Sequence, residues 1–97
     1  MVQTVKTIGV QPQEKIIIAE KPHTLQRVFF RIDVATQPDS WYPAKVSFND
    51  PLFFSYFRLV GTVRSFEMTG NDIFQGDIWV KNESTIILYF SSTEILR

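Results

Sequence analysis

The amino-acid sequence predicts an all-β protein, either a jelly-roll-like β-sandwich or a small barrel of about seven to eight antiparallel strands. Runs rich in Val, Ile, Phe, Tyr and Thr alternate with clusters that contain Pro, Gly, Asn and Asp, which is typical of strands and turns. No segment shows apolar residues three and four positions apart with a cap, so no helix is predicted. The 97 residues fit a single domain.

Three strands are predicted in the first part of the chain. Residues 4–10 alternate loosely between polar and apolar and form the first strand. Lys15–Glu20 contains a continuous run of isoleucines, which is typical of a strand covered on both faces. Val28–Val34 shows the clearest alternation, and its valines, Phe30 and Ile32 should share one face of a sheet.

The second half predicts further strands. Val46–Phe48 is a short strand that ends at an Asn-Asp-Pro turn, and Leu52–Val60 follows with aromatic residues on both faces. Val63–Met68 is the next strand. The last third then predicts a β-hairpin, in which strands 77–81 and 85–90 are joined by an Asn-Glu-Ser turn.

Composition argues against several classes of function. Ten Lys and Arg balance ten Asp and Glu, whereas nucleic-acid-binding proteins normally carry a basic excess. The chain has no Cys, which excludes disulfides, thiolate metal sites and cysteine nucleophiles. Residues 1–10 lack the apolar segment of a secretory signal, and no apolar run approaches the roughly 18–20 residues of a membrane span. We therefore expect a protein made in the cytoplasm, with neither nucleic acid nor a membrane as its partner.

No pattern indicates catalysis, a cofactor or a metal site. The single histidine, His23, follows a proline in a predicted loop and is expected to be solvated. Most acidic residues lie at turns, where they bond to the backbone, and Asp33 is expected to form an ion pair with Arg31. The four glycines are isolated, so there is no phosphate-binding loop. The sequence therefore predicts binding or assembly, and not an enzyme.

The aromatic residues supply the candidate interaction sites. Nine Phe, three Tyr and two Trp exceed what the core of so small a domain can house, and exposed apolar patches mark contact surfaces. We therefore expect a dimer or trimer. Trp41 and Tyr42 are a candidate ligand loop, for instance for a sugar ring, although they could equally pin their turn onto the core. The candidate interface residues, each opposite a neighbour assigned to the core, are Phe53, Phe57, Trp79 and Tyr89.

Three segments in the last third of the chain carry a resemblance. They are Phe66–Met68, Gln75–Asn82 and Ser92–Leu96, in which a Gly-Asp-Ile-Trp-Val-Lys strand precedes a β-rich run and a terminal Thr-Glu. This arrangement is similar to the closing hairpin of small β-domains on the virion surface of tailed phages, among them head decoration (cement) and fibre proteins.

The resemblance implies a non-enzymatic virion structural protein, namely a capsid decoration protein that stabilises the head by bridging capsomers. Its partners would be copies of itself and the major capsid protein or another virion protein, and it would lie on the virion surface. Edge strands and an extended N-terminal arm, residues 1–13, would make the contacts. Two alternatives stay open: a receptor- or carbohydrate-binding β-module that uses Trp41 and Tyr42, and a small barrel that binds single-stranded nucleic acid along Phe53–Phe57.

Overall fold

The structure is a computed structural model that describes residues 1–35, 43–70 and 72–97. Within these ranges the chain forms eight β-strands and no helix. All strand pairs are antiparallel, which confirms the predicted all-β class. The strands are β1 (Val2–Val10), β2 (Lys15–Ala19), β3 (Arg27–Val34), β4 (Ala44–Phe48), β5 (Phe57–Leu59), β6 (Ser65–Thr69), β7 (Ile78–Asn82) and β8 (Leu88–Leu96).

The strands form two four-stranded sheets, sheet A with the order β1-β8-β3-β6 and sheet B with the order β2-β7-β4-β5. Strand β1 pairs with β8, β2 with β7, β3 with β6 and β4 with β5. This nested pairing results when one long hairpin is folded over on itself, and the pairs β3–β8 and β4–β7 then complete the sheets. Two sheets of four strands in this order make a jelly roll, so the predicted jelly-roll-like sandwich is confirmed.

The core lies between the sheets and is built from alternate residues of each strand. In β3, Phe30, Ile32 and Val34 are buried as predicted, and Arg31 and Asp33 point to the outer face of sheet A. The Arg31 guanidinium donates to both carboxylate oxygens of Asp33 at 2.8 Å, which confirms the expected ion pair. The other buried apolar side chains of the core come from both sheets: Val10, Ile18, Ala19, Ala44, Val46, Leu59, Ile78, Val80, Leu88 and Phe90.

A buried arginine holds one end of the sandwich together. Arg27 begins β3, is fully buried, and donates through Nε to the Glu94 carboxylate of β8 at 2.7 Å. Its other nitrogens donate to the carbonyl oxygens of Phe74, Gly76 and Glu20 at 2.7, 3.0 and 2.9 Å. This single side chain therefore connects sheet A to the end of β2 in sheet B and to the loop between β6 and β7.

A buried asparagine, Asn82, holds the opposite end of the sandwich together. Asn82, the last residue of β7, donates through Nδ2 to the carbonyl oxygens of Val10 at 2.8 Å and Ile86 at 2.7 Å. Its Oδ1 accepts from the N–H and the hydroxyl of Ser84 at 2.8 and 2.6 Å. These bonds fix the passage of the chain from sheet B to sheet A. Because β7 and β8 lie in different sheets, the predicted hairpin over 77–90 is wrong.

Two further predictions are corrected by the strand pairing. Residues 1–13 are not a free arm, because Val2–Val10 pairs residue by residue with Leu88–Leu96. Strand β8 runs beyond the predicted strand end, and this extension gives β1 a partner along its whole length. Of the predicted strand Leu52–Val60, only Phe57–Leu59 is a strand. The residues that precede Phe57 form a loop, which is held by hydrogen bonds from side chains.

Candidate interaction surfaces

Strand β1 is an open edge of sheet A, because among the described strands it pairs with β8 alone. Its residues from Val2 to Thr7 are exposed although they alternate between the two faces of the sheet, with Val2 at 48% and Val5 at 64%. Alternate backbone N–H and C=O groups of an edge strand point away from its one neighbour. The edge therefore offers a row of hydrogen-bonding groups that a strand from another chain can complete.

The other three edge strands are short or irregular. Strand β5 has three residues and β6 has five. Strand β2 has five residues and a register shift between Ile17 and Ala19. Short edges and bulges hinder strand addition. The register of β1 with β8 is unbroken over nine residue pairs, so β1 is the edge among the described strands best suited to a long added strand.

A hydrogen-bonded loop, residues 49–56, lies over the outer face of sheet B. The hydroxyl of Ser47, a residue of β4 that is fully buried, donates to the carbonyl oxygens of Asp50 and Ser55 at 2.7 and 3.1 Å. The Asp50 carboxylate accepts from the N–H groups of Leu52 and Ser55, both at 3.1 Å. These backbone bonds, above all that from Ser55, hold the pKa of Asp50 below its ordinary value. The carboxylate thus organises a loop where the aromatic-rich sequence predicted a strand.

The same loop turns apolar side chains towards solvent. Phe53 adopts a φ of 55° and is 8% exposed, whereas its neighbours Leu52 and Phe54 are 65% and 84% exposed. The Tyr56 ring lies beneath the ammonium group of Lys45, which is 4.1 Å from the ring centroid. The buried Phe53 ring therefore anchors the loop to the domain, whereas the Phe54 ring is presented to solvent.

Four cations lie in one row across the outer face of sheet B. The register places Lys15 opposite Lys81, Lys81 opposite Lys45, and Lys45 opposite Arg58. Like charges in opposing positions destabilise a sheet, and Glu83 offsets this, since its oxygens lie 2.9 Å from Lys45 Nζ and 3.4 Å from Lys81 Nζ. Burial raises the pKa of Glu83, but the hydrogen bonds and charges of both lysines outweigh burial and lower the pKa.

The candidate interface residues do not form one surface. Phe53 is 8% exposed in the single chain, so it presents little surface to a partner, and its role at an interface stays a prediction. Phe57 lies on the edge strand β5 and is 37% exposed, and Tyr89 is 50% exposed on the outer face of sheet A. Trp79 is half-buried on the outer face of sheet B, where it pairs with Ser47. The three remaining aromatics are thus divided between the two sheets.

The described residues assemble no metal site. His23 is exposed, as expected, and no group of three or more His, Cys, Asp or Glu in these ranges could share an ion. No helix long and apolar enough to cross a membrane occurs in the part of the chain that the structure describes. Trp41 and Tyr42, the candidate ligand loop, lie outside the described residues, so their role stays a prediction.

The amino-acid sequence alone shows neither the position of β1 at the edge of sheet A nor the row of cations on sheet B. The residues of Val2–Val10 resemble those of any half-exposed strand, and no local signal shows that β1 lies at an edge. In the sequence, the four cations of the row are isolated residues in four different segments. Their common row depends on the pairing of β2, β7, β4 and β5, which only the strand order and register could have revealed.

No protein-family model matches the chain, and no curated protein matches it significantly. The resemblance to phage virion proteins therefore stays a prediction, and the function has to be argued from the fold and its surfaces.

Proposed function

We propose that this protein is a non-enzymatic structural protein of a virion, which decorates the capsid and stabilises the head by bridging capsomers. The observation that carries the proposal is the open edge of sheet A, the nine-residue strand β1. A protein that works by assembly needs such a surface, because backbone groups at an edge supply affinity when another chain adds a strand. In this proposal the partners are copies of the chain and the major capsid protein or another virion protein.

The fold is compatible with this function but does not select it. Jelly rolls occur in viral capsid proteins, in lectins and in cupins, and a shared fold is an analogy at the level of architecture. The virion assignment rests on the resemblance carried by Phe66–Met68, Gln75–Asn82 and Ser92–Leu96. The proposed location is the virion surface, after synthesis in the host cytoplasm.

The test is co-sedimentation of the purified chain with shells assembled from the major capsid protein of the same virus. Deleting residues 1–13 would remove a paired strand of sheet A, so a point variant is the better probe. Val5→Lys places a charge on the edge at a side chain that is 64% exposed, so the fold should tolerate it. Val63→Lys is the matched control, since Val63 is exposed at 44% and lies outside the strands.

The native chain and Val63→Lys should sediment with the shells and raise the temperature at which the shells release their contents. Val5→Lys should lose both effects, because a second lysine next to Lys6 doubles the positive charge of the edge and replaces its most exposed apolar contact, which obstructs strand addition. Failure of the native chain to bind such shells at any ratio would overturn the capsid assignment. Equal binding by both variants would show that β1 is not the contact.

A receptor- or carbohydrate-binding module is the second candidate function, favoured by the aromatic side chains of the loop 49–56. Phe54 is 84% exposed and Tyr56 is 46% exposed, and aromatic faces of this kind stack on sugar rings. Binding on a glycan array that is abolished by Phe54→Ala or by Trp41→Ala would support this function. No binding at millimolar sugar would remove it.

A further inference from the structure

We propose that two copies of this chain join through their β1 strands, antiparallel about a two-fold axis that passes beside Val5. Sheet A of one copy, with its four strands, then continues into sheet A of the other. The inference rests on the proposed assembly function and names the occupant of the β1 edge, which is a second copy of this chain.

Identical edge strands are self-complementary when they run antiparallel. A two-fold axis normal to the sheet generates that arrangement and keeps the inner faces of both sheets on the same side. In β1 the even-numbered residues face inward, since Val10 is in the core and Ile8 packs against it. Residues that meet across the axis must share a face, so the two residue numbers of every pair must add to an even sum.

Among these registers, the one centred on Val5 matches the side chains best. It sets Val5 against the partner's Val5 on the outer face and Val2 against the partner's Ile8 on the inner face. Both contacts cover apolar surface that is exposed in the single chain, 64% for Val5 and 48% for Val2. The polar residues also meet polar residues: Lys6 meets the partner's Thr4, and Thr7 meets the partner's Gln3.

The position of Lys6 argues against dimer registers that are centred on residues near Val5. Lys6 is the one charged residue of Val2–Val10. A register centred on Lys6 sets two ammonium groups directly opposite each other, which destabilises a sheet. A register centred on Thr4 or Thr7 sets Lys6 against an apolar side chain. The register centred on Val5 places Lys6 opposite a hydroxyl and leaves its ammonium group free to reach solvent.

An interface one strand wide belongs to the small and reversible class, so the dimer should form with rising concentration. Light scattering on the native chain, from roughly micromolar to millimolar concentration, should show the mass rising from monomer to dimer. Val5→Lys should remain a monomer over the same range, whereas Val63→Lys should behave like the native chain.

Because the chain contains no Cys, single cysteines report the register directly. Directly opposite side chains in an antiparallel pair lie close enough for a disulfide. Val5→Cys should therefore give a disulfide-linked dimer on mild oxidation. Thr7→Cys is the matched control, since in this register the two copies of residue 7 are four residues apart along the strand, about 14 Å. A mixture of Thr7→Cys and Gln3→Cys should cross-link to each other.

The outcomes separate this inference from the proposed function. A strict monomer at all concentrations, or cross-linking of Thr7→Cys as fast as Val5→Cys, overturns the Val5-centred dimer. If the monomer still binds shells and Val5→Lys does not, the β1 edge takes a strand from another virion protein and the assembly function stands. If the dimer and the Val5→Cys cross-link form but no shell is bound, the dimer stands and the capsid function fails.

Discussion

Replacing Arg27 by methionine should lower the free energy of unfolding by about 3–5 kcal/mol, the usual cost of removing one partner from a buried ion pair. Arg27 is fully buried and donates hydrogen bonds to one carboxylate and three carbonyl oxygens. Methionine fills most of the space but donates nothing. The Glu94 carboxylate, 18% exposed, then loses its cation, and the three carbonyl groups lose their donor, which places the loss towards the upper part of this range.

The assay is urea unfolding at pH 7, followed by tryptophan fluorescence. With a slope of about 2 kcal/mol per molar urea, the Arg27→Met midpoint should fall by about 2 M. Glu94→Gln keeps an accepting oxygen and should cost less, about 1–2 kcal/mol. The double variant should lose less than the sum of both, because the residues share one bond. An Arg27→Met midpoint close to the native one, or strict additivity, would refute the conclusion that Arg27 holds this end of the sandwich together.

Two further predictions concern the loop 49–56 and the core. Asp50→Asn should weaken the loop in a pH-dependent way: because the pKa of Asp50 is lowered, its contribution is present above the ordinary value of 3.8 and is lost as pH falls through the folded value. The difference in urea midpoint from the native chain should therefore shrink between pH 7 and pH 3, and a constant difference would contradict this. Phe90→Ala should cost about 3–5 kcal/mol in unfolding free energy, because Phe90 is fully buried. Phe54→Ala, at 84% exposure, should change it by less than about 0.5 kcal/mol, and equal losses on thermal unfolding would contradict the burial pattern.

The class of the fold followed from local patterns, whereas its topology did not. Alternation in Val28–Val34 placed Phe30, Ile32 and Val34 correctly in the core, because the two-residue period of a strand depends on backbone geometry alone. The same local pattern suggested pairing of β7 with β8, since strands next to each other in sequence often pair. It could not show that the buried amide of Asn82 bonds to Val10, 72 residues away, and directs β8 into the other sheet.

The loop before β5 shows a second limit of sequence patterns. Leu52–Val60 was predicted as a strand because the run is rich in aromatic residues, which would lie on both of its faces. In the structure, Asp50 satisfies the backbone of the following residues, and Phe53 adopts positive φ. A carboxylate that accepts several N–H groups competes with sheet pairing. The Asn-Asp-Pro segment predicts a turn. It does not show that the carboxylate of Asp50 will accept hydrogen bonds from backbone groups as far along the chain as Ser55.

The last prediction concerns the row of cations on sheet B, and it tests whether Glu83 stabilises the protein through its charge or through its packing. Glu83→Gln should destabilise the protein by about 1 kcal/mol at low salt, because Lys45 and Lys81 then keep their mutual repulsion without a carboxylate between them. Glu67→Gln is the matched control, since Glu67 is 46% exposed and Arg31 keeps its bonds to Asp33.

The Glu83→Gln loss should diminish in 1 M salt, where charges are screened beyond about 3 Å. It should also diminish in acid, because a lowered pKa means that the stabilisation by Glu83 is present above the ordinary value of 4.5 and is lost as pH falls through the folded value. A loss that is independent of salt and pH would instead assign Glu83 a packing role. A loss equal to that of Glu67→Gln would show that the row of cations needs no internal anion, since the lysine side chains would then separate into solvent on their own.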